Sequence, residues 1–246
     1  MAAVILFTSG KGGVGKSTSC AAIGGYFSST GRKTLLVDAD AGLGALDIML
    51  GVSESVVLDW SDIGKSGVSF DDVVIKKENK PDLLPSPRVY SDNISFDCIK
   101  KIIDSQSDNY DYILIDSPAG VDSGFKRAAS AADKVIIVAT PDEVSVNCAS
   151  KTFDECVSIG IEEDNIRLLI NRFDKKAAKK SKLLNIDGTI DRSGIRLLGI
   201  LPEDEKLTYL SVTNVSPGRK SKFYRAVTRV ARRISGANVP LSVNKL

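Results

Sequence analysis

The chain has 246 residues, 43% of them hydrophobic and 26% charged, with a net charge of +2; these globular proportions exclude disordered, collagen-like and mucin-like classes. It contains no histidine, which removes Ser-His-Asp hydrolysis, Cys-His proteolysis and His-based zinc sites together. Nine of the 33 Lys/Arg and none of the 31 Asp/Glu fall in 206–246, so a basic tail follows a body of net charge −7. The cysteines, Cys20, Cys98, Cys148 and Cys156, show no CxxC spacing. With no secretory signal ahead of them they read as reduced thiols of a cytoplasmic protein. No apolar run reaches the length of a membrane span, and a single domain over 1–246 is the economical reading.

Val4–Thr8 is a continuous apolar run, the pattern of a strand buried on both faces. It leads into Gly10-Lys11-Gly12-Gly13-Val14-Gly15-Lys16-Ser17, a full match to G-x4-G-K-[ST], and then into a helix expected over Lys16–Ser29. That strand–loop–helix setting is what a phosphate loop requires. Glycines let the backbone curl until successive N–H groups face one anion, and the helix N-terminus adds partial positive charge. Lys16 then reaches the terminal phosphates, the Ser17 hydroxyl ligates Mg²⁺, and Thr18 is placed against a phosphate nearer the base.

The next strand, Lys33–Val37, ends in Asp38-Ala39-Asp40, two carboxylates at the end of a parallel strand facing the ligand crevice of an open sheet. Glu54–Asn79 is irregular and reads as a helix or two on the rim. Asp82–Pro85 follows as a strand and Ser95–Asp104 as a helix. Tyr112–Ile115 is a buried strand ending in Asp116, the Walker B arrangement that holds a carboxylate near Mg²⁺. Ser117-Pro118-Ala119-Gly120 continues it as a loop able to swing toward a γ-phosphate. Helices over Ser123–Ala131 and Val144–Ser158 flank a strand at Lys134–Ala139.

Asn171-Arg172 follows the strand Ile166–Ile170, and Pro202-Glu203-Asp204 follows the strand Arg196–Leu201. These two strand ends are expected to form a base pocket, with Asn171 offering a donor and an acceptor to an adenine edge. No NKxD guanine signature is present, which favours ATP over GTP. The run Lys175, Lys176, Lys179, Lys180 and Lys182 reads as a solvated helix face. The last helix, Lys220–Ile234, carries the stripe Phe223, Val227, Val230, Ile234, expected to pack on the sheet with Arg225, Arg229, Arg232 and Arg233 solvated. The alternation implies a doubly wound, mostly parallel α/β sheet with helices on both faces.

Lys11 exceeds what a minimal phosphate loop needs. With it, the stretch Lys11–Thr18 resembles the deviant Walker A signature of the MinD/ParA ATPases, a P-loop NTPase group that shares its fold with the nitrogenase iron protein. The likeness runs from Val4 to about Val243. It includes Val37–Asp47 as a switch I segment, Asp116–Gly120 as switch II, Ala139–Ser145 and Leu198–Asp204, and it is nearer the MinD branch than the ParA branch.

The resemblance implies ATP/ADP and Mg²⁺ as ligands, slow hydrolysis, and a homodimer when ATP is bound. Lys11 would reach across that dimer to the partner's nucleotide, Lys16 would hold the phosphates, and Asp40 would position the attacking water. Asp38 would be its structural or magnesium-side neighbour, with Ser17 and Asp116 on the metal. Asn171, Arg172, Pro202, Glu203 and Asp204 would border the adenine. The implied role is control of division-site position through partners of the MinC and MinE or scaffold kind. A MinD-like regulator of flagellar number or placement and a ParA-type DNA-partition ATPase are the alternatives. Nucleic-acid binding is not favoured, since no recognition motif accompanies the basic runs. No amphipathic targeting helix is read after Val239-Pro240-Leu241, so the chain as given is expected to bind anionic lipid weakly. A redox role like that of the nitrogenase iron protein needs paired cysteines after both switches, which Cys98 on a helix before the Walker B strand does not supply.

Overall fold

The computed structural model describes residues 1–42, 44–89, 95, 97–180, 182–204, 207 and 221–241. Seven strands form one sheet in the order β3-β2-β4-β1-β5-β6-β7, every neighbouring pair parallel. They are β1 Ala3–Thr8, β2 Thr34–Asp38, β3 Asp82–Leu84, β4 Tyr112–Asp116, β5 Lys134–Ala139, β6 Ile166–Phe173 and β7 Leu197–Pro202. The described helices are α1 Lys16–Ser29, α2 Leu46–Leu50, α3 Phe70–Val73, α4 Cys98–Gln106, α5 Ser123–Ala129, α6 Glu143–Ser158, α7 Lys175–Lys179, α8 Ile186–Ser193 and α9 Lys222–Ile234.

Side chains alternate along each strand between two cores, as the two-residue period of a strand requires. Leu6, Val37, Ile113, Ile137 and Leu168 join the core under α4, α5 and α6. Ile5, Phe7, Leu36, Leu114, Val138 and Leu169 join the core under α1 and α9. Both faces are therefore covered, which is why the strands read as unbroken apolar runs. In α9 the expected stripe is used as read: Phe223, Val227 and Val230 are buried. Arg233 is not the solvated charge that was expected. Its guanidinium donates to the carbonyls of Leu198, Val239 and Pro240 at 2.8–2.9 Å, stapling the segment after α9 to the end of the sheet.

The largest departure from the expected elements is β6. It continues beyond Ile170 through Asn171, Arg172 and Phe173, so these residues lie in the strand rather than after it. Pairing with β7 resumes at Phe173–Pro202 across a register shift, and Arg172 sits in that irregularity at φ 53°. Pro202 likewise closes β7 instead of following it. The helix expected from Ser95 begins at Cys98, and that expected to reach Ala131 ends at Ala129. Lys220, where the last helix was expected to begin, lies outside the described residues, as does Val243. Among the described residues no helix is long and apolar enough to cross a membrane.

Candidate functional site

The longer helices begin with different caps. Asp122, Asp142, Asn185 and Ser221 cap α5, α6, α8 and α9 with their side chains. Helix α1 begins instead at Gly15, in the left-handed region at φ 89°, with no side-chain cap. Its first-turn amides thus remain directed toward the preceding loop, the arrangement in which a helix N-terminus receives an anion. The loop is held closely from behind. A Cβ on Gly10 would meet the Cys148 carbonyl oxygen at 2.5 Å, and one on Gly15 would collide with Asn171 Nδ2. The Gly120 amide donates to the Ser9 carbonyl at 2.9 Å, tying the loop after β4 to the start of the phosphate loop.

Lys16 lies over β4, its Nζ 2.6 Å from Asp116 Oδ1 and 3.4 Å from Ser17 Oγ. The pair is buried, Lys16 at 8% and Asp116 at 1% side-chain exposure. Burial pushes the Asp116 carboxyl up and the Lys16 charge pulls it back. Asp116 Oδ2 and the neighbouring Thr8 Oγ1 are buried with no hydrogen-bond partner among the described residues.

Register places Asp38 beside Asp116 on adjacent strands. Both Asp38 oxygens are engaged: Oδ1 accepts from the Asp40 amide at 3.1 Å, and Oδ2 from Ala45 and Leu46 at 3.0 and 3.1 Å. Trp60 Nε1 donates to the Asp38 carbonyl at 2.9 Å. This carboxylate anchors the loop after β2. Burial, reinforced by the charge of Asp116, pushes it up to about 6 despite the three amides. Asp40 is half-buried beside the same charges; burial raises it and Lys16 opposes the shift.

Lys11 is held within its own chain. Its Nζ lies 3.3 Å from Asp142 Oδ1, and both side chains are partly exposed. Asp142 also caps α6 through the Ser145 amide at 3.0 Å and accepts from Thr140 Oγ1 at 2.5 Å. Partial burial works against its ionisation, yet the Thr140 hydroxyl, the Ser145 amide and Lys11 together hold it below the usual carboxylate range. The sequence reading did not single out Asp142. Its local signal was the Thr-Pro-Asp run before a helix, which marks a cap but not a lysine contact.

A cavity of about 480 Å³ opens beside the loop, lined by Gly12, Val14, Pro141, Arg172, Leu183 and Glu203 among others. This is the expected base pocket in part. Arg172 and Glu203 line it, whereas Asn171, Pro202 and Asp204 are not among its lining residues. Asn171 is 5% exposed and donates from Nδ2 to the Val14 carbonyl at 2.7 Å, so the amide group expected at an adenine edge sits beneath the phosphate loop. A larger cavity, about 610 Å³, lies at the opposite ends of β2 and β3 beside Thr34 and Asp82, away from these groups.

Residues 5–216 match the family CobQ/CobB/MinD/ParA nucleotide binding domain. The chain belongs to this family. It is 34% identical to the septum site-determining protein MinD of Thermotoga maritima over 98% of this chain and 91% of that one. It superimposes on MinD in the MinC:MinD cell division protein complex of Aquifex aeolicus with a TM-score of 0.89 and 34% identity, covering 98% of this chain and 99% of that one. The same fold recurs at 24% identity and a TM-score of 0.83 in MinD of Pyrococcus horikoshii OT3, solved with Mg-ADP, over 97% of this chain and all of that one. The doubly wound parallel sheet expected from the sequence is that of the family.

Proposed function

We propose that this chain is a single-domain ATPase switch of the MinD type, which dimerises on ATP, hydrolyses it slowly with Mg²⁺, and positions the division site through a MinC-like partner. The observation that carries this reading is the phosphate loop with Lys11 and Lys16 each poised on an internal carboxylate at the carboxyl end of a parallel sheet. The relatives named MinD and the solved MinC:MinD complex support the partner class.

Residues Gly10–Thr18 would cradle the phosphates, with Lys16 leaving Asp116 for the terminal ones. Ser17 and Asp116 suit Mg²⁺. Among the described residues no cluster of three metal-ligating side chains exists, but Mg²⁺ bound with a nucleotide takes one or two protein oxygens plus phosphates and water, and Asp116 has a buried oxygen to offer. When bound, the ion would neutralise charge developing on the phosphoryl group. Asp40 would orient the water that attacks the γ-phosphorus as the bond to the β–γ bridging oxygen breaks, yielding ADP and phosphate. Arg172 and Glu203, which line the cavity beside the loop, would border the base. Asp38, already engaged by three amides, is assigned to holding the loop on which Asp40 sits.

The dimer face proposed is the one that carries Lys11. Ile48, Val89, Val121 and Val144 are exposed at 52, 78, 38 and 61%, and each follows the carboxyl end of a different strand. Apolar side chains gathered on one end of a sheet favour burial against a second copy. The ParA-type alternative would need a basic surface that binds DNA only with ATP; Arg233 keeps its charge but has its N–H donors taken by the carbonyls of Leu198, Val239 and Pro240, leaving fewer for a phosphate. The place of action proposed is the cytoplasm, at the inner face of the membrane through partners. Phosphate release with Mg²⁺ and with chelator, beside light scattering in ATP and in ADP, tests the reading. Mg²⁺-dependent hydrolysis, an ATP-specific dimer, and an Asp40→Ala variant trapped as that dimer are expected; a chain that stays monomeric in ATP would overturn it.

A further inference from the structure

The chain has one tryptophan, Trp60. It is the largest of the fully buried side chains among the described residues, at 1% exposure, and joins the core under α4, α5 and α6. A buried indole N–H needs an acceptor. Here Nε1 donates to the Asp38 carbonyl at 2.9 Å across 22 positions of chain. The Trp60 amide donates in turn to the Pro85 carbonyl at 3.1 Å, one residue past the end of β3.

Trp60 meets the sheet where one flank of β2 runs out of partner. β2 lies between β3 and β4. Its ladder to β4 runs on to Asp38–Asp116, whereas its ladder to β3 stops at Val37–Leu84. On the β4 side the Ala39 N–H donates to the Asp116 carbonyl at 2.9 Å. The Asp38 carbonyl belongs to the same planar trans peptide and points the opposite way, to the flank where β3 no longer pairs. There the indole N–H stands in for a ladder donor. Both polar groups of the Asp38–Ala39 peptide are thus tied off, one by β4 and one by Trp60. Asp40 follows directly, its amide donating to Asp38 Oδ1 at 3.1 Å. The Asp38 carboxylate holds the far part of the loop through Ala45 and Leu46; Trp60 holds its root.

We infer that Trp60 is a positioning residue for Asp40: its indole N–H fixes the peptide on which the chain leaves β2, and with it the place of the Asp40 carboxylate. The inference rests on the proposed role of Asp40 in hydrolysis. The contact is made to the loop after β2 and not to Gly10–Thr18, so it bears on the hydrolytic step and not on holding the phosphates.

Because Trp60 is the only tryptophan, production of the full chain in a tryptophan auxotroph fed the thia analogue, in which sulfur replaces the indole N–H, deletes that one donor and keeps the shape of the ring. Phosphate release at saturating ATP with Mg²⁺ gives kcat, and calorimetric titration with ADP and with a non-hydrolysable ATP analogue gives binding. The expected result is a fall in kcat of about 10-fold, with both dissociation constants within about 2-fold of the parent's, the split produced when a reacting group is displaced and ground-state binding is not. Trp60→Phe, which also lacks the N–H, should show the same split, and 5-fluorotryptophan, which keeps it, should restore the parent rate. Thermal melts establish that each form is folded at the assay temperature, and the thia analogue serves if Trp60→Phe does not fold. A lower melting temperature with kcat per folded chain unchanged would make the contact structural only and overturn the inference. So would kcat and nucleotide affinity falling together, which would put the indole under the whole site. If the parent does not hydrolyse ATP, or Asp40→Ala hydrolyses it as fast as the parent, the proposed function fails and takes the inference with it; hydrolysis by the parent and its loss in Asp40→Ala separate the two failures.

Discussion

Replacing Lys16 by methionine removes a charge from the buried centre of the site while keeping an apolar stem. The lysine nitrogen is 2.6 Å from Asp116 Oδ1, and both side chains are almost fully buried. Without it Asp116 is left beside Asp38, whose carboxyl the Asp116 charge helps to push up across adjacent strands. Breaking a buried ion pair by removing one partner costs about 3–5 kcal/mol, because the other charge stays desolvated. Asp116 limits that cost by taking a proton: burial already pushes its carboxyl up, and the Lys16 charge that opposed the shift is gone. Near neutral pH the cost is set at about 3 kcal/mol, the low end of that range, which lowers the melting temperature of a chain this size by about 6–12 °C. In Lys16→Met/Asp116→Asn neither charge remains, so most of the loss should be recovered. The pH dependence has a definite sign. An acid whose folded pKa is raised binds its proton more readily folded than unfolded, so acidification favours the folded state and the Lys16→Met deficit should shrink toward about pH 5. Thermal and urea unfolding of the nucleotide-free parent, both single variants and the double, at two pH values, decides the matter. Lys16→Met melting together with its parent, or a double variant no more stable than Lys16→Met, would refute the buried-pair argument.

Lys11→Ala should retain nucleotide binding but lose the ATP dimer, as read by light scattering. Asp142→Asn keeps a capping side chain while dropping the charge that holds Lys11, so it should shift stability by less than about 1 kcal/mol, the pair being partly exposed. It should also lower the ATP concentration needed for dimerisation; an unchanged midpoint would deny Asp142 any hold on Lys11. Asp38, raised to about 6 by burial and the Asp116 charge, binds a proton when folded that the unfolded chain has lost between about pH 4 and 6. Its contribution to stability therefore falls by about 3 kcal/mol as pH rises through that window, and in Asp38→Asn the urea midpoint should vary less with pH there.

The parts of this molecule that were legible in sequence are those whose cause is local. Helix α1 falls on its expected bounds, because glycine and the Lys-Ser pair mark its start and its fate does not depend on distant packing. β5 is likewise recovered over Lys134–Ala139, a run apolar enough to be buried on both faces. β6 was cut short at Ile170 because Asn-Arg broke the apolar run, yet the backbone keeps pairing through the irregularity to Phe173; the side chains that ended the pattern sit under the phosphate loop and on the cavity wall. The short helices α2 and α8 carry too few turns for a hydrophobic period to stand out, whereas α7 falls where the lysine run read as a helix face. In the site, the loop and its Walker B carboxylate were visible as contiguous motifs. The Lys11–Asp142 and Val14–Asn171 contacts join residues 131 and 157 positions apart, and no spacing rule along the chain announces them.

These contacts also decide what ligand binding must do. Lys16 is on Asp116, Lys11 is on Asp142, and the Asp38 oxygens are on three backbone amides. In the proposed site, binding would be an exchange of partners, and its free energy the difference between two well-satisfied arrangements. For Lys11 the exchange is cheap, since an exposed pair is worth little. For Lys16 it is not, because moving the ammonium to a phosphate uncovers a carboxylate that is buried almost completely. That carboxylate must then find a second cation or a proton. Asp116 already has one oxygen, Oδ2, without a partner among the described residues, so a divalent ion arriving with the phosphates would meet a ligand on hand and offset the loss of Lys16. Phosphate binding at Lys16 and cation binding at Asp116 are on this argument one coupled step, and nucleotide without a divalent cation should bind far more weakly than nucleotide with it.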